Sequence, residues 1–81
     1  MDPATAPLQG ILDAIARARV ADKRMQLAES LGDDVGLQIA YQAILHNLFI
    51  IGESVTAMPP ELLARDTETP WGEIAGMGQL L

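Results

Sequence analysis

The chain has 81 residues, 8.7 kDa, a net charge of −6, 49% apolar and 20% charged residues, one Trp, one Tyr, one Phe, one His and no Cys. This is the composition of a single globular domain, without a disulfide scaffold or thiolate metal site. Residues 1–31 balance Arg17, Arg19, Lys23 and Arg24 against Asp2, Asp13, Asp22 and Glu29. Residues 32–81 set Arg65 alone against seven carboxylates. A polyanion such as RNA meets repulsion overall, so contact with it is expected only through the short basic cluster. The longest unbroken apolar run, Leu48 to Ile51, is too short to span a bilayer, and no basic leader precedes an apolar stretch. A cytoplasmic location without membrane contact is the expectation.

In chain order, residues 1–7, with Pro3 and Pro7, read as a flexible tail ahead of one helical domain over 8–81. From Leu8, apolar positions recur at Ile11, Leu12, Ile15, Ala18, Ala21, Met25 and Ala28, the spacing of one amphipathic helix. Gly32 supplies a stop, and Asp33 with Asp34 an N-cap and first turn. Next comes the strongest periodicity of the chain: Leu37, Tyr41, Ile44, Leu48, Ile51, Val55 and Met58, in alternating steps of four and three. It predicts a helix over about 35–57, roughly 35 Å long. Ile39, Ala40, Ala43, Leu45 and Ile50 widen its apolar face beyond what one partner helix covers. Pro59 and Pro60 end it, and Pro60 opens a short helix over 61–65. A polar loop over 66–69 leads to Thr69-Pro70 as cap and first position of a last helical segment with Trp71, Glu73, Ile74 and Met77. Gly72, Gly76 and Gly78 weaken that segment. No strand-period alternation competes. The fold class predicted is all-α: an antiparallel helical hairpin or bundle of two long helices plus short C-terminal turns. A homodimer through helix 35–57 is the simplest way to cover the wide face.

No residue of the chain earns a catalytic, cofactor-binding or metal-binding role from its spacing. His46 has no nucleophile within a helical turn, because Ser54 lies two turns along and about 80° around. One His without Cys makes no zinc site, and Glu53, seven residues on, stands roughly 10 Å away along the axis. Asp33 and Asp34 read as capping residues. Gly76-Met77-Gly78 lacks the preceding strand a nucleotide loop needs. Arg17 and Arg24 share one face while Arg19 and Lys23 lie nearly opposite, the pattern of a solvated surface with partners three or four residues away.

Residues 44–77, ILHNLFIIGESVTAMPPELLARDTETPWGEIAGM, resemble the HepT-like family, helical toxins partnered by MNT-type minimal nucleotidyltransferase antitoxins in prokaryotes. The resemblance rests on Asn47-Leu48, Ile50-Ile51-Gly52-Glu53, Pro60-Glu61-Leu62, and Pro70-Trp71 with Glu73-Ile74-Ala75-Gly76-Met77. Residues 8–15, LQGILDAI, are compatible with the family's opening helix. The resemblance implies an all-α bundle that dimerises, binds the antitoxin, and cleaves RNA without metal. It implies a motif of Arg, short spacer, His, one residue and Tyr directly after the segment matching Ile74 to Met77. In that chemistry an imidazole moves protons and a guanidinium holds the phosphate. The chain instead reads Gly78-Gln79-Leu80-Leu81. No catalytic residue carries over, and the expectation is a ribonuclease-family toxin component inactive in this truncated form, with RNA a substrate only where an active tail exists. The alternative expectation is a small helical interaction module without catalysis.

Overall fold

The computed structural model describes the backbone of residues 3–80 and the side chains of residues 3–76. Among these residues four helices follow one another: α1 (Thr5–Leu31), α2 (Asp34–Thr56), α3 (Pro60–Leu63) and α4 (Trp71–Leu80). Among the described residues there is no strand, so the all-α helical hairpin read from the sequence is the fold. The two long helices lie against each other, α4 packs on α2, and the molecule is elongated at 47 × 25 × 19 Å.

The turn between the long helices follows from two residues. Gly32 sits at φ 68°, the left-handed conformation that glycine enters without a Cβ penalty. Its N–H donates to the Glu29 carbonyl at 3.2 Å, and the Asp33 N–H donates to the Ala28 carbonyl at 2.8 Å. This pair of bonds is a Schellman closure and satisfies carbonyls the helix end leaves open. Asp33 then caps α2, its carboxylate accepting from the Gly36 N–H at 2.9 Å. Asp33 thus belongs both to the closing motif of α1 and to the cap of α2.

Helix α1 begins earlier than the periodicity suggested. Thr5, Ala6 and Pro7 form its first turn rather than a tail, Leu8 N–H bonding back to the Ala4 carbonyl at 3.0 Å. Pro7 fits there because the first turn of a helix asks nothing of its missing N–H. Helix α3 spans Pro60–Leu63, shorter than the 61–65 expected. Helix α4 starts at Trp71, one residue after the expected Pro70. The loop before it is organised by Asp66, whose carboxylate accepts from the Glu68 N–H, the Thr69 N–H and the Thr69 hydroxyl. The Asp66 carbonyl takes the Trp71 indole N–H at 3.0 Å. Thr69 therefore serves the loop's carboxylate, a role the sequence did not suggest.

The core differs from the expected stripe of large residues. Buried side chains on α1 are Ala14, Ala21 and Ala28, seven residues apart, and on α2 Ala40, Asn47 and Val55. Ala21, Ala28, Ala40 and Val55 belong to the apolar set read from the sequence; Ala14 does not. Leu8, Leu12 and Ile15, central to the predicted α1 stripe, are exposed at 46, 61 and 37%. Tyr41, placed on the α2 seam, is 49% exposed, while Leu37, Ile44, Leu48, Ile51 and Met58 are half-buried. The reason is the closeness of the helices. A methyl group added at Gly10 would stand 2.9 Å from Ser54 Oγ, so α1 and α2 meet over small side chains. The large ones are displaced to the flanks.

Helix α2 is, by length and composition, long and apolar enough to cross a membrane, a test that core helices also pass. Its apolar window is interrupted by Gln38, Gln42, His46, Asn47 and Glu53.

Candidate functional site

The residues read for chemistry stay apart. His46 and Glu53 are exposed on α2, and neither holds a hydrogen-bonded or ion-paired partner among the described residues. Among those residues no group of three or more His, Asp or Glu side chains is placed to hold a metal. Asp33 caps α2 as expected. Gly76 to Gly78 lie inside α4 and form no loop. Arg17, Arg19, Lys23 and Arg24 are all exposed. The helical partners expected for them do not form. Asp13 accepts instead from Gln9 at 2.8 Å and Asp22 from Gln26 at 2.9 Å. Exposed pairs of this kind contribute little, so neutral partners replace charged ones at small cost.

Two polar features were not legible in the sequence. Asn47 is 5% exposed, donates to the Ala43 carbonyl at 2.8 Å, and leaves its Oδ1 buried without a partner. Asp66 has its carboxyl held below the ordinary 3.8, first by the Thr69 hydroxyl and then by the Thr69 N–H, against an opposing desolvation that outweighs the lesser help of the Glu68 N–H.

What the fold does assemble is an apolar face. At the tip of the hairpin a groove of about 390 Å³ runs between the end of α1 and the start of α2. Its small members are Ala28, Gly36 and Ala40, its large ones Leu27, Leu31 and Ile39, and it carries Arg24 and Asp33. Leu27, Leu31 and Ile39 are 52, 71 and 63% exposed, and neighbouring Val35 is 71% exposed. Four branched aliphatics this open at one end of a small domain form the kind of patch that marks an interaction site. The alanine seam creates it: helices that approach over methyl groups leave no room for Leu and Ile between them.

Comparison with protein-family models, with curated proteins and with solved structures finds no match to this chain.

Proposed function

We propose that this chain is a HepT-like component of a prokaryotic toxin–antitoxin module and works by binding, with no catalysis by the 81 residues themselves. The observation that carries the binding half is the open quartet Leu27, Leu31, Val35 and Ile39 around the tip groove. The family half rests on the resemblance of residues 44–77. Among the described residues His46 has no partner base or nucleophile, and Gly78 stands where the family's pattern has its Arg. Self-association through helix 35–57 and capture of an MNT-type nucleotidyltransferase are the activities this reading assigns.

The test is to mix the purified chain with an MNT-type nucleotidyltransferase and follow both by size-exclusion chromatography with light scattering. A stable complex is expected. Failure to co-elute leaves the plain dimerisation module as the better reading. RNA incubated with the same chain should stay intact; cleavage that His46→Ala abolishes would overturn the non-catalytic assignment.

A further inference from the structure

Four of the chain's five cations stand on α1 between Arg17 and Arg24. All four are exposed, and none has a carboxylate within 4.0 Å among the described residues. A helix turns about 100° per residue, which sets Arg17 and Arg24 along one edge of the side of α1 away from the alanine seam and Arg19 and Lys23 along the other. Between those edges lie Val20 and Leu27, a heptad apart, with Leu31 beyond them, exposed at 59, 52 and 71%. Across the turn, Val35 and Ile39 are as open. Leu27, Leu31 and Ile39 line one groove, so both helices present their aliphatics on the same side of the hairpin, and one plane can meet them all.

Carboxylates avoid this side at the tip. Asp22 and Glu29 stand about 140–160° around α1 from Leu27, and Asp34 about 100–140° around α2 from Val35 and Ile39. The Asp33 carboxylate is folded onto the Gly36 N–H. The first carboxylate in line with the aliphatics of α1 is Asp13, beyond Arg17 and bonded to Gln9. On α2 it is Glu53, about 21 Å past Ile39. The side therefore grades from cationic and aliphatic at the tip to acidic at the far end.

We infer that the tip half of this side rests on an anionic lipid surface, with Leu27, Leu31, Val35 and Ile39 at the acyl boundary and Arg17, Arg19, Lys23 and Arg24 among the headgroup phosphates. The inference goes beyond the protein-binding reading and does not depend on the family resemblance. It rests on charge complementarity joined to the aliphatics: cations at both edges of an apolar strip reach outward to phosphate while the strip enters the headgroup layer. RNA would engage the cations and leave the aliphatics in water. The expectation of no membrane contact came from the lack of a span and a leader, and a helix lying in the interface needs neither. The net charge of −6 is no bar, because a Debye length of about 8 Å at physiological salt screens carboxylates as distant as Glu53. Repulsion of that end tilts the hairpin tip-down.

The experiment is co-sedimentation of the full chain with vesicles of phosphatidylcholine alone and of equal parts phosphatidylcholine and phosphatidylglycerol, at low and high salt. The wild type should pellet with the mixed vesicles, far less with phosphatidylcholine alone, and less as salt rises. Arg24→Gln should weaken binding roughly fivefold. Leu31→Asp should weaken it tenfold or more with unchanged helical circular dichroism, since Leu31 is largely outside the fold's own packing. Tyr41→Ser, about 160° around α2 from Ile39, should bind as the wild type does. Three results would each overturn the inference: no pelleting with the mixed vesicles, binding indifferent to Arg24→Gln or to Leu31→Asp, or an equal loss in Tyr41→Ser. Polyuridylate bound as tightly as the vesicles, with Leu31→Asp silent, would also overturn it and make the site one for polyanions. The nucleotidyltransferase titration reads the other proposal separately. Co-elution without vesicle binding keeps the protein-binding function and defeats the lipid contact; vesicle binding without co-elution does the reverse.

Discussion

At the scale of single residues, the molecule depends on a few positions whose backbone or polar atoms have no substitute. Gly32 adopts φ 68° with open space where a Cβ would stand, so its replacement is limited by conformation rather than by clash. Gly32→Ala should cost about 1 kcal/mol, read from urea unfolding, and Asp33→Ala about the same through loss of the α2 cap. Asp66 makes a pH prediction whose sign follows from its lowered folded value. The loop around Trp71 keeps its full contribution above the ordinary carboxylate value of 3.8 and loses it as pH falls through the lower folded value. Trp71 is the single tryptophan, and its indole is tied to the Asp66 carbonyl. Its fluorescence and indole N–H shift should therefore be flat from neutral pH down to 3.8 and move only below it. Asp66→Ala should abolish that acid step. Asn47 works the other way. Its buried, unpartnered oxygen is a cost that Asn47→Ala removes, and Ala is also the better helix former. The variant should melt higher, by about 1 kcal/mol of added stability; a lower melting point would mean the Asn amide is worth more than its orphaned oxygen costs.

At the scale of elements, the two long helices were legible and their mutual face was not. Gly32, Asp33 and the prolines at 59 and 60 are local signals, each acting through its own φ or its own hydrogen bond, and they put the helix ends where they are. The face a helix turns to its neighbour is decided by the other helix. Periodicity marks Leu12 and Ile15 as core because it ranks side chains by size, and marks Ala14 as nothing at all. When two helices approach closely the order reverses: Ala14, Ala21 and Ala28 lose their surface, and Leu12 keeps 61% of its own. The energetics should follow the observed burial. Ala21→Leu forces a large side chain into the contact and should destabilise by about 1–3 kcal/mol. Val55→Ala, at 2% exposure, should cost about 2 kcal/mol. Leu31→Ala should stay within about 0.5 kcal/mol. Chemical denaturation of the three variants checks the order; equal losses at Leu31 and Val55 would mean the tip is buried in the protein as it exists in solution.

At the scale of the whole molecule, a small hairpin with an alanine core carries its large aliphatics outside. So small a domain buries only about 60–65% of its unfolded surface, which makes its stability modest. Self-association through helix 35–57, as proposed above, would therefore stabilise the fold as well as join two chains, and the melting temperature should rise with protein concentration. A melting temperature constant over a hundredfold dilution would speak against any such coupling. The candidate site was half legible in the same sense. The excess width of the α2 face predicted an uncovered apolar surface, but its location at the tip depended on where α1 lies, and that is set by the seam.

The spacing of that seam has a mechanical consequence. Ala14, Ala21 and Ala28 repeat every seven residues, as do Ala40, Asn47 and Ser54, the residue that meets Gly10. Such a contact resembles a ruler with evenly spaced, nearly identical marks. Sliding one helix by a heptad, about 10.5 Å, would set small residues on small residues again. Only Asn47 and Val55, larger than alanine, break the evenness of the seam. The alignment is imposed by the two-residue turn at Gly32 and Asp33, which leaves no slack. Inserting four glycines there should release the ruler, and the lengthened hairpin should populate more than one alignment, visible as doubled amide resonances along both helices.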